Sequence, residues 1–332
     1  MNIVLDLIEA FRRSKTMFAA VRLGIFDQLE HAPQTASALA RALQLHEAAA
    51  ARLLDACASL GLLEKHAQEY RNTQVASTYL VSDSEDTLSG YIKYSDESLY
   101  HLWSHLDDAV REGSNRWEQT FGARDALFDH YYRDPEKTAN FMQGMNGFGC
   151  LSSPTIVRAF DLSRYRHLVD LGGGTGHLPI AACQVYPDLR ATIFDLPKVE
   201  PISRRFISNS SVANRIEFVA GDFFRDPLPG GDLYSLGRII HDWDDPRIVP
   251  LLRKVFDALP SNGALLIQEA LVQDDRSGPV CALMQDLNML VCTDGRERTE
   301  AEYKLLLETA GFSDVQLHRT GAPLDAVLAV KR

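Results

Sequence analysis

HLVDLGGGTG, residues 167–176, decides the fold. HLVDL is short and nearly unbroken in its apolar character, as a strand buried on both faces should be, and it empties into Gly172, Gly173, Gly174 and Gly176. Glycines at a strand-to-helix turn let the backbone approach a ligand and aim the helix N–H groups at it. The spacing is G-x-G-x-G with Asp170 two residues ahead, which departs from the G-x-G-x-x-G of dinucleotide binders and disfavours a nicotinamide enzyme.

Working outward, RATIFDL (190–196), RIEFVAGD (215–222), DLYSLGRII (232–240) and GALLIQEAL (263–271) repeat the short β-type pattern, with helix-type sequence between them. That alternation predicts an α/β protein with a doubly wound parallel sheet. EYKLLLETAGF (302–312) predicts a helix with a glycine stop, and VQLHRT followed by LDAVLAVK predicts a terminal hairpin. The second strand ends at Asp195, where a carboxylate can accept both hydrogen bonds of a ribose diol. The third ends in Gly221-Asp222-Phe223-Phe224, an acceptor followed by aromatics, suited to the amino group and face of an adenine.

The chain has 332 residues, enough for two domains or for one large core with an appendage. Its 34 Lys and Arg against 45 Asp and Glu give a net charge of −11, spread along the sequence, which opposes binding to duplex DNA or anionic membranes. Five cysteines, at 57, 150, 183, 281 and 292, form no C-x-x-C pair and suit a reducing cytoplasm. Asp6, Glu9, Arg12, Arg13 and Lys15 interrupt the apolar positions of the first segment, so neither a signal peptide nor a membrane span is expected.

Residues 2–23 place apolar side chains at helical spacing and predict an amphipathic helix pair that needs a partner surface. TASALARALQL (35–45) and HEAAAARLLDACASLGLLEK (46–65) predict two further helices, and the β-like start of EYRNTQVASTYL (69–80) a small wing. This is a winged-helix layout, yet the second helix offers Arg52 beside Glu47 and Asp55, and its run of alanines suits packing better than phosphate contact. Residues 86–160 read as mainly helical, with breaks at Gly113, Gly122 and Pro135.

After the fourth strand comes RIIHDWDDPR (238–247), which sets an imidazole and an indole among three carboxylates. The residues alone leave open a metal site, a general base with its support, or a solvated loop. Successive residues on a turn seldom converge on one ion, and Asp244-Asp245-Pro246 also reads as the cap and first turn of the helix PRIVPLLRKVFDAL.

Residues 167–176, FDLP (194–197), GDFF (221–224), HDW (241–243) and GRERT (295–299), in this order, resemble the S-adenosylmethionine-dependent O-methyltransferases of the caffeic acid and hydroxyindole type. The likeness runs nearly the whole chain, through FAAVRLGIFDQL, LLDACASLGLLEK, DAVREG (108–113), LNMLV (287–291) and GAPLDAVLA (321–329). In detail it is most similar to acetylserotonin O-methyltransferase-like proteins. The resemblance implies a class I methyltransferase sheet, Rossmann-like with a terminal antiparallel strand, and an N-terminal all-helical winged-helix-like dimerisation domain that forms a homodimer. It divides the chain into a dimerisation domain (1–105), a helical connector and lid (106–160) and a cofactor-binding catalytic domain (161–332).

By the same resemblance S-adenosylmethionine would contact Gly172, Gly174, Asp195, Asp222, Phe223 and Arg238, with Tyr132 reaching in from the helical region. Where the family places an aromatic seventeen residues after Tyr132, this chain has Gly149, with Phe148 next to it. His241 would be the base for methylation of a hydroxyl on a small aromatic, without metal, and Glu269 and Glu297 would orient it. Asp242 and Asn288 would face the acceptor, with Met142, Met145, Phe148 and Met289 as further lining. Acetylserotonin-specific relatives carry an amide where this chain has Cys292, a poor donor, so another hydroxylated aromatic is as reasonable an acceptor. Methylation at carbon or nitrogen, or a regulator without turnover, are the competing readings.

Overall fold

The computed structural model describes residues 2–122 and 134–332, which fall into two compact units, Met1–Tyr100 and His101–Arg332. In the first unit residues 2–23 make one continuous helix, Ile3–Arg22, rather than the expected pair. Asn2 caps it by accepting from the Val4 N–H, and the break falls at Gly24, whose φ of 72° is left-handed. Helices Ile25–Leu29, Ala36–Ala42 and Glu47–Ser59 follow, the latter two capped by Thr35 and His46. Strands β1 (Gln34–Thr35), β2 (Leu63–His66) and β3 (Glu69–Asn72) form a three-stranded sheet in the order β1-β3-β2. The unit is therefore helical with a β wing, which corrects the all-helical expectation. Its core gathers Ile25, Phe26, Leu39, Leu54 and Leu63 around Ala20 and Val21 of the long helix, while Ile3, Val4, Leu7, Ile8 and Phe11 of that helix remain exposed.

In the second unit short helices lead to the helix Pro135–Ile156, and then to a seven-stranded sheet. The strands are β4 (His167–Leu171), β5 (Arg190–Asp195), β6 (Ile216–Ala220), β7 (Leu233–Gly237), β8 (Ala264–Glu269), β9 (Ser313–His318) and β10 (Asp325–Val330), in the order β6-β5-β4-β7-β8-β10-β9. Strands β4 to β8 pair in parallel, and β10 pairs antiparallel with both β8 and β9. The antiparallel strand is thus last in sequence but lies inside the sheet, and the expected terminal hairpin supplies it. Every residue of β8 is buried, as sandwiching between helices requires of a central parallel strand.

The chain leaves β4 for β5 on one side, and later returns to place β7 on the other. Ligands of open α/β sheets bind outside the carboxyl ends of the strands at such a reversal. The ends stand level, with Leu171 opposite both Phe194 and Leu236, and Gly237 opposite Gln268. One edge of the sheet therefore receives Gly172, Asp195, Arg238 and Glu269 together. Among the described residues no helix is long and apolar enough to cross a membrane.

Candidate active site

Gly172, Gly174 and Gly176 take φ of 69°, 55° and 83°, so the turn after β4 is left-handed at three alternate positions. A Cβ on Gly172 would come within 2.6 Å of Ile239 Cδ1, and one on Gly173 within 2.6 Å of Asp170 Oδ2. The turn is a cradle that side chains would fill, as a backbone meant to touch a ligand must be. Asp195 ties it in place, Oδ2 accepting from the Gly174 N–H at 2.9 Å and Oδ1 from the Leu196 N–H at 2.7 Å. Burial pushes its carboxyl up to about 6, against the pull of those two N–H groups. Asp170 underpins the turn from below, accepting from Ser235 Oγ at 2.5 Å, and burial pushes it up to about 7.

Asp222 accepts from the Phe224 N–H at 2.9 Å, and Phe223 Cε1 stands 3.3 Å from the position of a Cβ on Gly172. Arg238 holds a left-handed φ of 55°, unusual away from glycine, which turns its side chain towards the helix Pro135–Ile156. There its guanidinium lies 4.7 Å over the Phe148 ring and 3.3 Å from Met145 Sδ. Met142 reaches the glycine turn, its Cε 2.9 Å from where a Cβ on Gly174 would be. Met142, Met145 and Phe148 thus gather around Arg238 and the glycine turn. Tyr132 lies outside the described residues.

His241 sits on a single 3-10 turn, Ile240–Asp242, directly after β7. Glu269, at the end of β8, fixes that turn by accepting from the N–H groups of both Ile239 and Ile240 at 3.0 Å. From the other side Arg298, 1% exposed, donates to the carbonyls of Ile240 and Trp243 at 3.1 Å and pairs with Asp245. Gly295 packs so closely under the turn that a Cβ there would fall 2.1 Å from the His241 carbonyl oxygen. Asp244 caps the following helix, Asp245–Ala258, and Trp243 packs edge-on against Phe224 at 4.9 Å. The acidic cluster therefore divides: Asp244 and Asp245 serve the helix start, and His241 and Asp242 remain in the site.

The imidazole Nδ1 meets Glu297 Oε1 at 2.6 Å and stands 3.0 Å from Glu269 Oε2. Nδ1 carries one proton, and the shorter, better aligned contact assigns it to Glu297. Nε2 is left facing away, 3.8 Å from Asp242 Oδ1. His241 is 3% exposed and both glutamates are fully buried, so the carboxyls are reluctant to ionise. Burial pushes Glu269 up to about 7, opposed by His241, and Glu297 up to about 8, opposed by Arg238. Asp242 is pushed to about 7 for the same reason.

The same three residues put one ligand atom each within 4.8 Å of one another, the geometry of a possible cation site. Ligands sharing a zinc at about 2.1 Å would stand about 3.4 Å apart in a tetrahedron. The 2.6 Å contact is too short for that and fits a shared proton.

On the helix Val280–Cys292, Asn288 accepts from the indole Nε1–H of Trp103 at 2.8 Å. An indole N–H only donates, so the amide oxygen must face Trp103 and the NH2 must turn the other way. Cys292 lies one turn on, its thiol 3.6 Å from the same amide oxygen and its carbonyl accepting from the Trp117 indole at 2.7 Å. Burial, with Asp242 nearby, holds the Cys292 thiol well above its ordinary range. Met289 is buried on the same helix, Val280–Cys292. Sequence reasoning passed over Trp103, Gly295 and Arg298, although GRERT had already flagged two of them as part of a motif.

Fold and site together define a class I methyltransferase: a doubly wound sheet, a glycine cradle at its switch point and a carboxylate-held histidine beside it. The family model of the O-methyltransferase domain matches residues 103–313, and that of the O-methyltransferase dimerisation domain residues 5–82. The chain belongs to the S-adenosylmethionine-dependent O-methyltransferase family. It is 41% identical over 337 residues to the acetylserotonin O-methyltransferase of Bos taurus, covering 99% of this chain and 97% of that one. It is 42% identical over 331 residues to a probable bifunctional dTTP/UTP pyrophosphatase/methyltransferase protein of Homo sapiens, of whose length it spans 53%. Its structure is similar to that of human N-acetylserotonin methyltransferase in complex with SAM, with a TM-score of 0.94, 38% identity, and coverage of 99% and 96% of the two chains.

Proposed function

We propose that the chain moves a methyl group from S-adenosylmethionine to a hydroxyl of a small aromatic, of phenol or hydroxyindole type, with His241 as general base and no metal ion. The observation that carries this is the buried imidazole whose Nδ1 is occupied by Glu297 at 2.6 Å, leaving a lone pair on Nε2. S-adenosylmethionine, when bound, would supply an electrophilic sulfonium methyl that an acceptor oxygen can attack in line, with S-adenosylhomocysteine as the leaving group. Gly172, Gly174, Asp195, Asp222, Phe223 and Arg238 are the residues that would hold it.

A phenol near pKa 10 and a histidine near 6.5 differ enough that full prior ionisation would cost about 5 kcal/mol. The His241 Nε2 lone pair therefore takes the proton as the oxygen attacks, and Glu297 holds the imidazolium that results. Glu269 acts through the backbone, keeping the turn of His241 at a fixed angle to the strand end. Asp242 and the Asn288 NH2 offer polar contacts to the acceptor, and Cys292 in place of an amide favours acceptors other than acetylserotonin. The short Nδ1 to Glu297 contact supports a site that works without a cation. The exposed apolar row Ile3, Val4, Leu7, Ile8 and Phe11 supports a homodimer formed through the N-terminal helices. Five cysteines with no C-x-x-C pair among them support a cytoplasmic setting.

The test is a screen of radiolabelled methyl transfer over hydroxyindoles, catechols, flavonoids and polyketide phenols, followed by NMR of the product. An O–CH3 resonance is expected. A C–CH3 or N–CH3 resonance would replace the reading, and no transfer across the screen would sink it.

A further inference from the structure

Position 149 is glycine where the family resemblance implies an aromatic, and the structure shows what uses the space. An imidazole does: a Cβ on Gly149 would lie 2.4 Å from both Cδ2 and Nε2 of His177 and 2.5 Å from Cε1. Nearly equal distances to three ring atoms mean that the ring lies face-on across Gly149. No other residue at 149 could coexist with this histidine without displacing it.

The tautomer of His177 follows from its neighbours. Ser153 Oγ donates to the Gly149 carbonyl at 2.9 Å, which uses the only hydroxyl proton. The same Oγ lies 2.8 Å from His177 Nδ1 and can then only accept, so Nδ1 carries the ring proton. Nε2 is a bare lone pair, with no partner among the described residues. Burial, assisted by the nearby charge of Arg238, pulls the imidazole down to about 4, so the lone pair stays free at neutral pH.

His177 directly follows Gly176 and opens the helix His177–Val185, so its ring borders the glycine cradle. Arg238, whose guanidinium faces no carboxylate within ion-pairing distance among the described residues, stands on the same border over Phe148. A cation with no carboxylate partner among the described residues, close to an imidazole lone pair, is complementary to a zwitterionic amino-acid group. We propose that His177 is a further cofactor-binding residue, its Nε2 accepting a hydrogen bond from the α-ammonium of the methionine moiety while Arg238 faces the carboxylate. The glycine at 149 and the histidine at 177 are then sterically coupled, the bare backbone of one making room for the ring of the other.

This rests on the cofactor lying at the glycine turn, and the experiment separates the two claims. Calorimetric Kd values are measured on the full-length protein for S-adenosylhomocysteine and for 5′-methylthioadenosine, which lacks the amino-acid end. His177→Leu should weaken S-adenosylhomocysteine about 10-fold, as loss of a hydrogen bond to a charged group does, and leave 5′-methylthioadenosine within about 2-fold. Equal loss for both ligands, or loss for neither, overturns the proposal. If the unaltered protein binds neither ligand, the placement of the cofactor fails instead, and the proposal with it. Gly149→Trp alone should abolish S-adenosylhomocysteine binding by colliding with the ring, and Gly149→Trp with His177→Ala should restore it to within about 10-fold. A double variant as weak as the single one contradicts the coupling.

Discussion

Replacing Glu297 by glutamine separates what the buried carboxylate does for chemistry from what it costs the fold. In its ionised form, which predominates above about pH 8, the Glu297 carboxylate accepts the Nδ1 proton of His241 at 2.6 Å. An amide there has no charge to hold the imidazolium, and with its NH2 turned to Nδ1 it would leave the proton on Nε2, where the base must be bare. General-base assistance contributes about 10²–10⁴-fold, so Glu297→Gln should lower kcat by about 10²–10³, or about 3–4 kcal/mol at 1.36 kcal/mol per decade. The stability effect has the opposite sign. Burial lifts the folded-state pKa of Glu297 from 4.5 to about 8, so the native state holds a proton that the unfolded chain has released. That makes stability fall as pH rises through the ordinary carboxylate range towards 8, and the whole penalty is present above it. Removing the ionisable group should therefore raise Tm at pH 9, by up to a few degrees, and change it little at pH 4. Thermal melts at the two pH values and steady-state kinetics at pH 8 read both effects. A variant with wild-type kcat, or one that melts lower at pH 9 than the parent, would refute the reasoning.

Three further outcomes follow from the same geometry. Gly295→Ala drives a methyl group to 2.1 Å from the His241 carbonyl, and kcat should fall at least about 10-fold with S-adenosylhomocysteine affinity kept; full activity in steady-state assays would show that the turn tolerates displacement. Trp103→Phe removes the donor that orients the Asn288 amide, so KM for the acceptor should rise about 5–10-fold while calorimetry finds cofactor binding unchanged; a matching loss of cofactor affinity would place Trp103 elsewhere in the function. Extensive dialysis against a chelator should leave the methyl-transfer rate unchanged, and recovery of activity only on adding a divalent cation would return the His241, Glu269 and Glu297 cluster to the status of a metal site.

The sheet was legible because its strands are the kind that sequence displays best: short apolar runs, several ending in a polar residue or a glycine. Gly172, Asp195, Asp222 and Glu269 could be assigned to one edge from sequence, since parallel strands put all their carboxyl ends together, whereas Arg238, inside the expected segment 232–240, was marked only by the family resemblance. The first helix was misjudged because amphipathic spacing marks a face and not a break, and the break came from the left-handed Gly24. Residues that act across the fold were harder to see. Trp103 meets Asn288 over 185 positions of sequence, and the Arg298 clamp depends on where the turn of His241 lands against the loop that follows the helix Val280–Cys292. Gly149 looked like the loss of an aromatic, and only the packing of His177 against it gives the glycine a purpose.

In the proposed mechanism His241 removes the acceptor proton during methyl transfer. The most direct test of this step is the single-turnover rate of His241→Ala and of the parent across a series of phenols of graded acidity, with cofactor binding checked for each. A loss of about 10²–10⁴-fold is expected on a phenol of pKa near 10, shrinking towards unity on phenols already ionised at the assay pH. A loss that is the same at every acceptor pKa, or no loss at all, would contradict the mechanism.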